Sequence, residues 1–397
     1  MATFSVDFLG CKVSQTDAQE IREHLFADGH EERLGAADVA VLNTCCVTHE
    51  AVRKSRQAVR RAARLAARVY VTGCAARLEG AFDGLPTNVT VVRVPSERTA
   101  AFVAGDVGAI GCVQADFGLD RVRAFVKVQD GCSFSCRFCV IPHVRGPSRS
   151  RPAAAVLAEI RRRVGQGHRE IVLTGINLGC YRDREAGFDL AKLVRAAGET
   201  AGLARLRLSS LEVNHLSEKL LAAMRETPAV SPHLHVPLQS GDDAVLEAMG
   251  RRYSASMYLR RVGSATGFNL TTDVIVGFPG ETETAFANTL RVVEAAGITK
   301  VHVFPYSPRP GTVTADRDSV PPAVKKERGA ILRARSADAC RRRWLAKLGS
   351  EDVVLVDRPG RGYGDDYTPW LVQGHVGALV RARAEAVSEE GIVGCAA

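Results

Sequence analysis

Three closely spaced cysteines carry the clearest chemical signal in the chain. Cys132, Cys136 and Cys139 lie in Asp130-Gly-Cys-Ser-Phe-Ser-Cys-Arg-Phe-Cys139. Thiolates on one short loop can each bind a corner of a 4Fe-4S cube, which leaves the fourth iron open to a chelating small molecule. With His143 nearby, the same donors could instead form a Cys3His zinc site. A second set is dispersed: Cys11 in Leu9-Gly-Cys-Lys-Val13, Cys45 in Asn43-Thr-Cys45, and Cys74 in Thr72-Gly-Cys-Ala75. Each ends a strand-like run and precedes a helix-like one. Parallel strands present all their carboxyl ends on one edge, where these thiols can converge, and helix N-termini favour thiolate. The threefold repetition argues for a second four-iron cluster, again with an open iron; buried structural thiols are the alternative. Cys46, adjacent to Cys45 on an extended strand, is expected to face the opposite way. Cys112, Cys180, Cys340 and Cys395 show no partner pattern and read as free thiols.

The elements that must position these residues are legible in outline. Strands are expected at Phe4–Gly10, Val39–Cys45, Val69–Cys74 and Val89–Pro95, with helices over Ser14–Ala27 and from Thr48. Together they make an open, mainly parallel α/β sheet. Ser14 and Asp17 resemble a capping box, and Thr48 an N-cap. After weak patterning near 96–120, strands follow at Phe125–Gln129, Ile171–Thr174, Leu206–Ser209, Leu234–Leu238, Thr272–Phe278 and Val301–Tyr306. Six strand–helix units make about three-quarters of an eight-unit barrel, with the Cys132 loop at the carboxyl end of its first strand. A basic helix near Ala323–Leu348 leads to short strands at Val353–Val356, Pro369–Val372 and Val376–Arg383. The fold class is therefore α/β. Residues 1–115 form the open parallel sheet with the dispersed cysteines, 118–348 a partial (β/α)6 barrel, and 349–397 a small antiparallel β module.

Composition sets the partners. A chain of 397 residues with 46% apolar and 24% charged residues is globular, and the eleven cysteines are better read as metal ligands or thiols than as disulfides. The N-terminus lacks a signal-peptide layout and no apolar run reaches membrane-spanning length, so a cytoplasmic location without a membrane partner is expected. The net charge of +9 favours an anionic partner such as RNA. On the helix from Thr48, Arg53, Lys54, Arg56, Arg60, Arg61, Arg64 and Arg68 share an arc opposite Val52, Val59, Ala62 and Ala66. Lys325, Lys326, Arg328, Arg333, Arg335 and Arg341–Arg343 form a second basic region. Both suit a phosphate backbone, and binding through them should weaken with salt.

The C-x3-C-x2-C spacing, with Phe138 before the last cysteine, resembles the radical S-adenosylmethionine superfamily. The two cysteine sets together resemble its methylthiotransferases over essentially the whole chain. Leu9-Gly-Cys-Lys-Val-Ser-Gln15, Asn43-Thr-Cys-Cys-Val-Thr48 and Arg145-Gly-Pro-Ser-Arg-Ser150 are similar to the branch acting on threonylcarbamoyladenosine in tRNA. Ser14 stands where that branch commonly has Asn, and the tail is a short, divergent form of the family's TRAM-like RNA-binding β-barrel. The resemblance implies two 4Fe-4S clusters held by Cys132, Cys136 and Cys139 and by Cys11, Cys45 and Cys74. In the family it resembles, one S-adenosylmethionine methylates a sulfur on the N-terminal cluster. By the same resemblance, a second would be cleaved at the central cluster to a 5′-deoxyadenosyl radical, which would remove hydrogen from C2 of the adenine. That C–H bond is neither acidic nor electrophilic, so acid–base or thiolate chemistry alone would not functionalise it.

Barrel strand ends should supply the S-adenosylmethionine pocket: Thr174, Gly175, Glu212, Gln239, Ser240 and Gly277. The implied partners are a tRNA anticodon stem-loop, whose bases can be splayed from the stack, an electron donor protein and a sulfur source. Another tRNA adenosine or a ribosomal-protein aspartate is the alternative target, and a zinc-stabilised RNA-binding protein the non-enzymatic alternative.

Overall fold

The computed structural model describes residues 2–33, 35–94, 96–107 and 122–396; Cys112 lies outside them. Packing divides the chain into two units. One comprises 1–118 with 130–148 and 307–316, the other 119–129, 149–306 and 317–397. The three sequence segments are therefore not the packing units. The loop bearing Cys132, Cys136 and Cys139 packs with the N-terminal sheet, and the C-terminal module packs with the partial barrel.

In the first unit, β1 (Thr3–Phe8), α1 (Lys12–Ala27), β2 (Glu31–Glu32), β3 (Val39–Thr44), α2 (His49–Ala62), β4 (Arg68–Gly73), β5 (Val89–Val91) and α3 (Ser96–Val107) follow in order. The sheet runs β2-β1-β3-β4-β5, all parallel. All six residues of β3 are buried, as its apolar run requires for a central strand covered on both faces. Val39 and Val41 pack on one side with Ile21, Leu25 and Val103, while Ala40 and Leu42 pack on the other with Val59 and Val71. The two-residue β2 was not anticipated, because Glu31-Glu32 has no apolar alternation.

Helix starts agree only in part. Thr48 caps α2 by accepting from the Ala51 amide at 3.0 Å. At α1, however, the N-cap residue is Cys11, without a side-chain cap, and Ser14 and Asp17 are buried inside the helix. Asp17 serves a distant arginine instead of the local backbone.

The second unit is entered along β6 (Arg123–Asp130), which leads into α4 (Ile141–Arg145) of the first unit. Its further elements are β7 (Arg149–Ser150), α5 (Ala153–Gly165), β8 (Glu170–Gly175), β9 (Arg182–Asp183), β10 (Phe188–Asp189), α6 (Leu190–Gly198), β11 (Arg205–Leu208), α7 (Glu218–Glu226), β12 (His233–His235), α8 (Asp243–Ala248), α9 (Ala255–Gly263), β13 (Asn269–Val276), α10 (Glu283–Ala295), β14 (Lys300–Pro305) and α11 (Pro322–Leu345). The six expected strands are present in two arcs, β11-β8-β6 and β12-β13-β14, the first extended by the unanticipated two-residue β7 beside β6. Val126, Ile171, Leu206, Leu234, Val274 and Val301 supply one continuous core beneath the helices.

The tail closes into a five-stranded barrel ordered β15 (Glu351–Arg358), β16 (Arg361–Tyr363), β17 (Pro369–Leu371), β19 (Ile392–Ala396) and β18 (Leu379–Val387). It is antiparallel except for the parallel pair β17–β19, a departure from the expected purely antiparallel module. Trp370, 1% exposed, fills its interior. Beneath it, Glu170 is fully buried among Arg123, Arg205 and Arg207, at 2.9, 3.2 and 2.9 Å. Burial alone would raise that carboxyl, but the Arg207, Arg123 and Arg205 guanidiniums hold it low. Arg205 also donates to the Val353 and Tyr363 carbonyls at 2.7 and 3.1 Å, and Arg207 to the Gly364 carbonyl at 3.0 Å. Stacked Tyr363 and Tyr367 lie under the Arg123 guanidinium.

Candidate functional site

The N-terminal cysteines are gathered by the sheet edge. Leu9 donates to the Asn43 carbonyl at 2.8 Å and Cys74 to the Thr44 carbonyl at 2.9 Å, so the ends of β1, β3 and β4 are stitched together. Gly73, at φ +90°, makes the last contact possible: a Cβ there would lie 2.0 Å from the Asn43 amide oxygen and 2.5 Å from the Thr44 carbonyl. A Cβ on Gly10 would lie 3.3 Å from the Cys45 sulfur. Cys45 and Cys74 are buried, whereas Cys11 is exposed. Burial pushes the Cys45 thiol up to about 11, and Cys74 and Cys11 add to the rise. Cys74 moves the other way. The Cys46 thiol donates to it and Arg145 stands beside it, holding it below the ordinary thiol range against the effect of burial.

Cys46 therefore does not face away as expected. It is fully buried beside Cys74, because the chain leaves β3 at Thr44 and the strict alternation of a strand no longer applies. Its carbonyl accepts from Arg309 Nη1 at 3.2 Å, so the 307–316 segment closes over this corner.

The central set lies on irregular chain between β6 and α4. Gly131, at φ +69°, turns the backbone where a Cβ would lie 2.1 Å from the Pro147 carbonyl. Cys132 then donates to the Gly146 carbonyl at 3.0 Å, and Ser148 to the Ser133 hydroxyl at 3.1 Å. The Phe134 amide points at the Cys132 sulfur at 3.4 Å, and the Cys139 amide at the Cys136 carbonyl at 3.1 Å. All three cysteines are half-buried. Among the described residues, no three His, Cys, Asp or Glu side chains are drawn up around a single metal-ion position, and His143 is exposed. Three half-buried thiols on one short loop are a donor set that an iron–sulfur group with one open iron can use.

Between the sets stands Arg145, 7% exposed. It donates to Cys74 Sγ at 3.0 Å, Asp17 at 2.8 Å and Asp130 at 3.0 Å. In the sequence this arginine is only part of a motif without a role; two of its three partners lie 71 and 128 residues away, beyond the reach of any local pattern.

The six S-adenosylmethionine candidates all fall at carboxyl ends of partial-barrel strands, but they divide by exposure. Gly175, Glu212 and Gln239 are partly exposed. Glu212 accepts from the Asn214 amide and side chain, both at 2.9 Å. Gln239 holds a left-handed backbone at φ 65°, uncommon for a residue with a side chain, fixed by the Asp273 carbonyl and the Ile275 amide. Thr174, Ser240 and Gly277 are buried. Ser240 instead receives the Asp242 amide at the entry to α8, and the Gly277 amide is bound by Glu281 at 2.6 Å.

The basic regions are also narrower than the sequence suggested. Helix α2 ends at Ala62, so Arg64 and Arg68 lie beyond it, Arg68 donating to the Asp106 carbonyl. Arg56 is bound to the Ala81 and Asp83 carbonyls, while Arg53, Lys54, Arg60, Arg61 and Arg64 are exposed. On α11, Lys325 and Arg328 are buried against Asp318 and Glu281. Lys326, Arg333, Arg335, Arg341 and Arg342 remain exposed, and Arg343 pairs with Asp366.

Two family models match the chain: the radical SAM superfamily over residues 126–293 and the uncharacterized protein family UPF0004 over 3–91. The chain is 35% identical to the threonylcarbamoyladenosine tRNA methylthiotransferase MtaB of Chlamydia pneumoniae, covering 99% of this chain and 97% of that protein. It is 36% identical to the tRNA-2-methylthio-N(6)-dimethylallyladenosine synthase of Sorangium cellulosum, covering 92% and 84%. The radical SAM methyltransferase TsrM of Kitasatospora setae shares the fold, with a TM-score of 0.57 and 16% identity over 79% of this chain and 77% of TsrM. The chain belongs to the radical SAM tRNA methylthiotransferases. Membership implies a 4Fe-4S cluster and S-adenosylmethionine. No described helix is long and apolar enough to cross a membrane.

Proposed function

We propose that this protein converts N6-threonylcarbamoyladenosine beside the tRNA anticodon into its 2-methylthio derivative, using one four-iron cluster on Cys132, Cys136 and Cys139 and a second on Cys11, Cys45 and Cys74. The observation that carries this reading is that both three-thiol sets fold into one packing unit, with Arg145 between them. When bound, these groups and S-adenosylmethionine supply homolytic hydrogen removal and sulfur transfer, chemistry that no side chain performs. The protein's part is orientation. The sheet edge fixes the N-terminal thiols, the Gly131 turn presents the central ones, and Glu212, Gln239 and the Gly175 backbone form the accessible edge for S-adenosylmethionine. Arg53, Lys54, Arg60, Arg61 and Arg64 offer phosphate contacts. The reaction also requires an electron donor protein and a sulfur source as partners.

The likeness to a dimethylallyladenosine synthase favours a second reading, in which another tRNA adenosine is the target. Mass spectrometry of tRNA nucleosides with and without the gene separates the two. Loss of the methylthio form with accumulation of threonylcarbamoyladenosine supports the first. An unchanged nucleoside profile overturns both.

A further inference from the structure

We infer that Arg145 is a positioning residue that joins the two cysteine sets, hydrogen-bonding one sulfur of the N-terminal set while it fixes the carboxylate at the entry of the central loop. This rests on the reading that Cys11, Cys45 and Cys74 hold an iron–sulfur group. A guanidinium presents five N–H donors in one rigid plane. Here Nε points at Cys74 Sγ at 3.0 Å, Nη1 at both oxygens of Asp130 at 3.0 and 3.2 Å, and Nη2 at Asp17 at 2.8 Å.

The three partners come from the end of β4, the end of β6 and the body of α1. One plane therefore sets the register of three elements. Asp130 passes that register on, because its Oδ1 also accepts the Gly131 amide at 2.7 Å, at the turn that launches the central loop. Asp17 lies in the second turn of α1, the helix whose N-cap is Cys11. Arg145 and Asp17 are 7% and 2% exposed, so water does not compete for these bonds.

A purely structural ion pair would be complete with the two aspartates. The Nε–H···S contact adds something an ion pair does not need: a hydrogen bond to a sulfur that would ligate iron. Such bonds tune a cluster's reduction potential, and donors placed this way orient the ligand itself. Lysine would keep the positive charge between Asp17 and Asp130, but its single ammonium cannot hold three partners in one plane.

The test uses the full-length chain carrying Cys132→Ala, Cys136→Ala and Cys139→Ala, reconstituted anaerobically so that only the N-terminal set can hold iron. Arg145→Gln and Arg145→Lys are compared with Arg145 in this background by redox titration followed by electron paramagnetic resonance. Loss of the N–H···S bond should move the midpoint potential to more negative values in both variants. Iron affinity should fall by about 10- to 100-fold with Gln and less with Lys. Should the Gln variant fail to fold, the Lys variant decides, since it preserves the charge. An iron-loaded Lys variant with the parent's potential overturns the inference and leaves the two-cluster reading standing. A chain that binds no iron in the triple-alanine background overturns both.

Discussion

The two cysteine sets contain three thiols each and are built in opposite ways. Cys132, Cys136 and Cys139 are neighbours in sequence on irregular chain, half-exposed and held by a few backbone hydrogen bonds. Cys11, Cys45 and Cys74 are separated by whole strand–helix units and meet only because a parallel sheet ends all its strands on one edge. A local loop can adapt to a bound group. A set assembled from three strand ends is as rigid as its sheet, and an error in any strand disperses it.

The sharpest way to break this comparison is to remove one thiol from each set. Cys136→Ala should abolish reductive cleavage of S-adenosylmethionine, whereas Cys45→Ala should retain cleavage and lose the methylthiolated product. In each case iron should fall from about eight to about four per chain. If Cys45→Ala also abolishes cleavage, the sets are not separate sites.

The next largest effect sharpens the difference in rigidity. Gly73→Ala places a Cβ into β3 at a left-handed position and should destabilise the iron-free chain by at least about 2 kcal/mol, measured by urea unfolding. Gly131→Ala meets a comparable obstruction, but its damage should stay in the central loop and appear as lost cleavage with the N-terminal iron retained.

A pH effect of similar or smaller size distinguishes the buried set. The folded Cys45 pKa of about 11 lies above that of an unfolded thiol, so burial of the neutral thiol contributes fully below the ordinary thiol range. The contribution is lost as pH rises through about 11. Up to about 2 kcal/mol of the iron-free chain's stability should disappear across that window, and Cys45→Ser should flatten the slope. Smallest is Thr48→Ala, which removes the α2 cap and should cost about 1 kcal/mol by thermal unfolding without altering iron content.

How far the site could be read in advance follows the same division. The central set was legible because its information is local, in a ten-residue run. The N-terminal set was legible only by way of topology, since knowing that the strands are parallel places their ends together. Whatever depended on side chains meeting across the fold was not. Asp17 looked like a local cap, yet binds an arginine 128 residues away. Cys46 was assigned a direction from strand alternation just beyond the point where the strand stops. Lys325 and Arg328 counted toward a basic surface until α11 turned them inward against Asp318 and Glu281. In the tail, β16 and β19 are short and glycine-bearing, so closure of the barrel could not be seen in the pattern of any one strand.

The buried Glu170 and its three arginines bear on how the chain can be divided by evolution or by engineering. A detachable accessory domain meets its host across a surface that either side can leave behind intact. Here Glu170 and all three arginines belong to strands β6, β8 and β11, and two of the arginines finish their hydrogen bonding on tail carbonyls. Cutting the chain before Glu351 would take away the tail carbonyls and leave the buried Arg205 and Arg207 with Glu170 as their remaining shared acceptor. Removing the tail by design would therefore call for compensating changes at Arg205 and Arg207 in the floor of the partial barrel as well.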